Sequence, residues 1–413
     1  MIKVNSCRLN NGLRLLHYQD SATRMVALNL MYNVGSKDES ANCTGLAHLM
    51  EHLMFTGSKN VPNYDAALQR AGGSSNAWTT VDVTNYYDIV PANNVETAFW
   101  VESDRLLHLN IDEKSIQIQK DVVVEEFKER CLNVPYGDIS HIIHNLAYEK
   151  HPYRWPVIGL TPEHIAKAPV EVIVSFYRRF YSVNNLVMCV SGNISFEKAV
   201  ELNQKWFGGI NPTEPVKRNL PVEPIQSKSR SVSVSRNVPN PMLIRVYHMP
   251  ARRSEGYEAC DLISDILSNG KSARFYQNII TRSSVFSDID ASVEGTMEPG
   301  LFMIRATLAQ DSDFASAEEL IDAEIDKLVS KGVGDAELQK WINKFQSSYI
   351  FSNIKYTEKA IKLCEYELLG DVNTINNITE RYQQITSQDI QTTAKMLFNK
   401  SNCSTVYYSN NKN

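Results

Sequence analysis

Hydrophobic periodicity predicts alternating strands and helices in the first half of the chain. Runs with a two-residue or continuous apolar pattern predict strands, and apolar positions three or four residues apart predict helices. The predicted strands are residues 6–18, 25–34, the segment that follows the Gly-Ser turn at 72–75, and 185–194. The predicted helices are residues 44–56, 62–71, 93–108, 112–130 and 163–180.

The same order of elements returns after a proline-rich, charged stretch at 211–230 that has little periodicity. The second half has strand patterns at 231–238, 242–249 and 285–306, and helical patterns at 256–268, 314–331, 335–352 and 356–369. This repetition predicts an internal duplication. We therefore expect an N-terminal domain at 1–212, a linker at 213–230 and a C-terminal domain of the same fold at 231–413.

Composition narrows the class of protein. Hydrophobic residues make up 43% and charged residues 22%, which is typical of a soluble globular protein with a full core. The net charge of −5 and the lack of a basic cluster argue against a nucleic-acid partner. No signal-peptide pattern or bilayer-length apolar run is visible, so we expect a cytoplasmic protein without membrane association. The seven scattered cysteines, with no CxxC pair, argue against a disulfide framework or a cysteine zinc site.

The strongest chemical signal is the motif His48-Leu49-Met50-Glu51-His52. Histidines four residues apart on a helix share one face, so both imidazoles can bind one metal ion. Glu51 projects beside them, where a general base for a water molecule at the metal is needed. The surrounding leucines and methionines would bury these polar groups, which is costly unless a metal or a charged partner binds them. Zn²⁺, one per chain, is therefore the expected cofactor.

The helix predicted at 112–130 offers a third ligand. On a helical wheel Ile116, Val122, Val123 and Phe127 define an apolar face, and Glu126 lies near its centre. A carboxylate in an apolar stripe needs a partner, so Glu126 is the predicted third ligand, and Glu125 and Glu129 are expected to be solvated. Gln119, two turns earlier on the same face, is a candidate for a hydrogen bond to the ligands, although a partly buried amide without that role is equally compatible with the pattern.

With these residues the chain resembles the pitrilysin (insulinase) family of inverted-motif zinc peptidases, and in particular its short, processing-peptidase-like members. The spacing from His52 to Glu126 is similar to that of the family. Further matching segments are Gly45-Leu46-Ala47, Gly72–Thr79, Trp100–Arg105, His151-Pro152-Tyr153, Phe176-Tyr177 with Tyr181, and Asn184-Asn185.

The resemblance implies an α+β fold of two homologous α/β domains, each a mainly antiparallel sheet flanked by helices, with zinc in the first domain only. It implies a metalloendopeptidase that hydrolyses peptides or small unfolded polypeptides. It also implies that the peptide adds as a strand beside Asn76, Ala77 and Thr79. Finally, it implies a homodimer or a heterodimer with a related subunit.

Two departures from the family pattern leave an alternative open. Gln119 stands where family members usually carry a glutamate, and Ile280 and Ser287 align with an arginine and a tyrosine that bind substrate. A non-catalytic or partner-dependent subunit of a heterodimeric peptidase is therefore the alternative function. A purely structural zinc is a further alternative, but such sites usually have four protein ligands rich in cysteine.

Overall fold

The computed structural model describes residues 2–410. Its strands are β1 (Asn5–Arg8), β2 (Arg14–Gln19), β3 (Met25–Tyr32), β4 (Ser74–Thr79), β5 (Thr84–Pro91), β6 (Leu186–Gly192), β7 (Arg230–Arg236), β8 (Met242–Met249), β9 (Phe286–Glu294), β10 (Gly300–Leu308) and β11 (Cys403–Asn410).

The α-helices account for about half of the remaining described residues. They are α1 (Leu46–Leu53), α2 (Tyr64–Arg70), α3 (Val95–His108), α4 (Glu113–Phe127), α5 (Ile139–Ala147), α6 (Pro162–Ala166), α7 (Val170–Phe180), α8 (Phe196–Phe207), α9 (Tyr257–Ser268), α10 (Phe314–Lys331), α11 (Asp335–Ser352), α12 (Tyr356–Leu368), α13 (Thr374–Gln383) and α14 (Ser387–Leu397). Within the described residues, no helix combines the length and the apolar character needed to cross a membrane.

The first sheet has six strands in the order β1-β2-β6-β3-β5-β4. Only β2 and β6 pair in parallel, and the other neighbours are antiparallel. Both faces of its centre are covered, because α12 packs on β2, β3 and β6 while the main core lies on the opposite side chains of β3. This two-sided burial explains why β3 is apolar except for Asn29 and is buried from Val26 onward, and why β6 is completely buried.

The second sheet has five strands in the order β7-β11-β8-β10-β9. Here β7 and β11 form the parallel pair, and the other pairings are antiparallel. Helix α5 contacts β7, β8 and β11, and a separate core includes side chains of α9, α10 and α14. Each sheet therefore has helices beside it, and the predicted α+β class with two sheets flanked by helices is confirmed.

Packing divides the chain into two compact units, and neither is continuous in sequence. The first comprises the residues up to Glu129, Trp155–Pro221 and Ile350–Asn377, and the second comprises Arg130–Arg154, Val222–Tyr349 and the residues from Ile378 onward. Helix α12 thus belongs to the first unit and α5 to the second. The division of the sequence into domains at 213–230 stays a prediction.

Several segments that the pattern predicts as single elements are pairs. The predicted strand at 6–18 is the antiparallel pair β1 and β2, and the one at 285–306 is the antiparallel pair β9 and β10. The predicted helix at 163–180 is two helices, since Pro169 precedes the start of α7 and disfavours helical backbone before it.

Candidate metal centre

Helix α1 carries the HxxEH motif in the first unit. Leu49, Met50 and Leu53 are fully buried and fix one side of the helix in the core. His48 is buried with 9% of its surface exposed, whereas the side chains of Glu51 and His52 are 16% and 23% exposed. The apolar residues of the motif thus anchor the helix and leave its polar residues at the edge of the core.

Helix α4 brings Glu126 to the same place. Its N-cap residue is Asp112, whose carboxylate accepts the Ser115 N–H at 2.7 Å in a capping box, and the helix packs against α1. Ile116, Val123 and Phe127 are buried as predicted, but Val122 is 44% exposed and its assignment to the apolar face was wrong. The predicted contrast between neighbouring glutamates is present: the Glu126 side chain is 17% exposed, and that of Glu125 is 65% exposed and paired with Lys128.

The structure brings His48, His52 and Glu126 together. Glu126 Oε2 lies 3.3 Å from His48 Nε2 and 3.1 Å from His52 Nε2. The two imidazole rings are 4.7 Å apart between centroids and nearly perpendicular. Candidate ligand atoms of the three side chains all lie within 4.8 Å of one another.

These distances fit a zinc ion. Nitrogen and oxygen ligands bind Zn²⁺ at about 2.0–2.2 Å, so two ligands of a tetrahedral site lie roughly 3.3–3.5 Å apart. The separations from Glu126 to the two histidines are close to that value. Two imidazoles and one carboxylate are also the ligand set of known catalytic zinc sites, which keep a fourth position for water or substrate.

Electrostatics couples the three groups with Glu51. Burial disfavours the charged form of His48, but its contacts with Glu126 and Glu51 outweigh burial and raise its pKa to about 9. Burial and the neighbouring His48 lower the pKa of His52. Burial would raise the pKa of Glu51, but bonds from His48 and Thr79 dominate and lower it. Glu51 is therefore an ionised carboxylate at neutral pH, as a general base must be.

Glu51 lies between the candidate metal ligands and strand β4. Its Oε2 is 3.6 Å from His48 Nδ1, and the same oxygen accepts a short hydrogen bond from Thr79 Oγ1. Thr79, Asn76 and Ala77 belong to β4, which stands at one end of the strand order of the first sheet and pairs with β5. The predicted substrate segment thus lies along a sheet edge, and one end of it contacts the predicted base.

The three residues that depart from the family pattern, Gln119, Ile280 and Ser287, lie on different elements. Gln119 is half-buried on α4, seven residues before Glu126. Ile280 ends a short helical turn in the second unit, and Ser287 lies on β9, where its hydroxyl donates to the Thr307 carbonyl at 3.2 Å.

Sequence reasoning missed the residues that hold the motif helix. Glu39 is buried and accepts two backbone N–H groups at the start of α1. Burial, partly offset by these two bonds, raises the pKa of Glu39 to about 8. Its only sequence signal is a glutamate in the mostly polar stretch at 35–44, which by itself predicts a loop.

The sequence matches two models of known protein families. Residues 14–159 match the model of "Insulinase (Peptidase family M16)", and residues 167–345 match that of "Peptidase M16 inactive domain". The chain belongs to the M16 family. The insulinase match contains His48, Glu51, His52 and Glu126, and the second match covers a part of the chain without these residues.

Individual proteins similar to this chain along nearly its whole length agree with the M16 assignment. The chain is 25% identical to "Zinc protease PqqE" of Helicobacter pylori over 98% of its own length and 92% of that protein. It is 23% identical to "Uncharacterized zinc protease YmxG" of Bacillus subtilis over 96% of each. Among solved structures, a protease from Helicobacter pylori superposes with a TM-score of 0.93 at 24% identity, covering 99% of this chain and 100% of that one. The M16 relatives carry zinc-protease names, so the family is one of zinc peptidases.

Proposed function

We propose that this chain is a zinc-dependent endopeptidase that binds one Zn²⁺ through His48, His52 and Glu126 and uses Glu51 as its general base. The convergence of those three ligand side chains from α1 and α4, with Glu51 beside them, carries the proposal. When bound, zinc would polarise the scissile carbonyl and lower the pKa of water at the site to about 7.

The protein's own groups account for the remaining steps. The Glu51 carboxylate takes the proton from the attacking water and then delivers it to the leaving amine. Thr79 donates to Glu51 Oε2 and holds the carboxylate in place. A peptide that adds as a strand along β4, beside Asn76 and Ala77, would place its backbone next to this carboxylate. Gln119 would hydrogen-bond to the metal ligands, and a second subunit, either another copy or a related chain, would complete the substrate site.

The first test replaces Glu51 with glutamine. Glu51→Gln keeps the side chain's size but removes its basicity, so we expect full zinc content and a loss of peptide cleavage of at least about 100-fold. Metal content is measured by mass spectrometry and cleavage with a fluorogenic peptide. Glu125→Gln is the matched control, because Glu125 lies beside a ligand on α4 yet is exposed and paired with Lys128.

Two results would separate the alternatives. If Glu51→Gln cleaves at the wild-type rate, the assigned mechanism is wrong. If the wild-type chain binds zinc but cleaves nothing without a second subunit, the partner-dependent alternative replaces independent activity, and adding a related subunit should then restore Glu51-dependent cleavage.

A further inference from the structure

Helix α1 begins without a cap of its own. Its N-cap residue is Gly45, which has a positive φ of 91° and no side chain with which to accept a hydrogen bond. The first turn of any helix exposes N–H groups that have no partner within the helix. His48 lies in this first turn, so whatever binds these N–H groups also sets the position of a proposed metal ligand.

Glu39 supplies the missing cap from outside the helix. Its Oε2 accepts the Gly45 N–H at 2.8 Å, and its Oε1 accepts the Ala47 N–H at 2.8 Å. Both carboxylate oxygens are thus used, and the residue is only 7% exposed.

The turn that carries Glu39 is itself fixed in the first unit. The backbone N–H groups of Ser36 and Lys37 donate to the carbonyls of Thr80 and Val81 at 3.2 and 3.0 Å. The buried Lys37 ammonium also lies 2.6 Å from Asp82 Oδ1. The turn next to Glu39 is therefore held by residues 80–82. These residues directly follow Thr79, the end of β4 that contacts Glu51.

We propose that Glu39 is a positioning residue for the metal centre: by capping α1 with both carboxylate oxygens it sets where His48 and His52 stand relative to Glu126. The inference rests on the proposed function, since it assumes that these three residues bind zinc. Ligand distances in such sites are defined to within about 0.2 Å. A small shift or fraying of the first turn of α1 would therefore weaken metal binding.

The test compares two variants of Glu39 with a cap elsewhere. Glu39→Ala removes both acceptors, and Glu39→Gln keeps one acceptor oxygen while turning an amide N–H₂ toward the second donor. The matched control is Asp313→Ala, because Asp313 caps α10 in the second unit by accepting the Ser316 N–H at 2.8 Å. All variants are prepared in the full-length chain.

Zinc affinity is measured by competition with a chromophoric chelator, and ligand geometry from the visible spectrum of the Co²⁺-substituted protein. We expect Glu39→Ala to weaken zinc binding about 10–100-fold and Glu39→Gln to weaken it less, as is typical when a group that orients ligands is lost. Both should change the Co²⁺ spectrum. At saturating zinc, kcat should fall while KM stays constant, because the Glu39 carboxylate binds the start of α1 and not strand β4.

The outcomes separate this inference from the proposed function. Wild-type zinc affinity and an unchanged Co²⁺ spectrum in folded Glu39→Gln, with only the loss of thermal stability that Asp313→Ala also shows, would overturn the positioning role alone. The same readouts on Glu39→Gln decide the matter if Glu39→Ala does not fold. Absence of zinc binding by the wild-type chain would instead overturn the metal site, and the positioning role with it.

Discussion

At the scale of single residues, the core of the first unit contains a second buried group of charged side chains, separate from the candidate metal centre. Arg105 donates to both oxygens of Glu102, at 2.7 and 2.6 Å, and both side chains are almost completely buried. Tyr64 Oη bridges Glu102 and Asp88, at 2.8 Å from each. Burial and the nearby Glu102 raise the pKa of Asp88 well above its ordinary value.

Removing Arg105 should therefore be severe. Arg105→Met leaves Glu102 buried without its cation, and we expect the free energy of unfolding to fall by about 3–5 kcal/mol. Urea unfolding followed by circular dichroism measures the change. Lys198→Met is the control, since it removes the same charge from an exposed pair with Glu201 and should cost less than about 1 kcal/mol. Equal losses in the two variants would contradict this account.

At the scale of elements, the sequence predicts that a helix or strand exists better than it predicts which of its residues are buried. The helices that contain the motif and Glu126 were predicted because their apolar residues recur at helical spacing. The wheel distinguished half-buried Glu126 from exposed Glu125, yet it misplaced Val122, since α4 buries a narrower stripe than the wheel assumed. Helices α8, α13 and α14 and strand β11 were not predicted; α13, for example, has few strongly apolar positions.

The sequence pattern did not predict which helix packs on which sheet. Periodicity carries no information on which distant segment covers a sheet, so nothing predicted that α12 packs on the first sheet or that α5 packs on the second. For the same reason Glu39 escaped notice, because its importance comes from two backbone N–H groups in a different element. By contrast, the clustering of His48, His52 and Glu126 was predictable, since their side-chain chemistry and helical spacing are local properties.

The contact between the 36–38 turn and the β4–β5 turn gives a prediction about elements. A Cβ atom on Gly35 would lie 2.5 Å from the Thr80 carbonyl oxygen, so the two backbones approach too closely for any side chain. Gly35→Ala should separate the turns and lower the free energy of unfolding by about 1–3 kcal/mol. Thermal unfolding checks this, with Gly334→Ala as control, where an added Cβ meets nothing within 4 Å. Identical stability of the two variants would show that the turns can move apart freely.

At the scale of the whole molecule, the two units share an arrangement but not its chemistry. Helices α1 and α9 both begin at a glycine with positive φ, Gly45 at 91° and Gly256 at 88°. Counted back from the glycine that follows each helix, Gly57 and Gly270, the α9 positions that correspond to His48 and His52 are Asp261 and Asp265. Counted from the N-cap glycines they are Ala259 and Ile263, so neither alignment places a histidine in α9. Asp261 accepts a hydrogen bond from Tyr382 Oη at 2.6 Å. This difference agrees with the expectation that zinc belongs to the first half only.

Metal removal tests the molecule as a whole. The first unit packs its core from apolar side chains of both the sheet and the helices, so chelation should leave the far-ultraviolet circular dichroism unchanged at 25 °C. Cleavage should be lost and should return on adding Zn²⁺. Because zinc binds only the folded chain, its removal should lower Tm, by an amount equivalent to about 2.7 kcal/mol when zinc is at 100 times its Kd. His48→Ala, as control, should melt at the same temperature with and without chelator. Unfolding of the wild-type chain by chelator alone would instead identify a structural zinc.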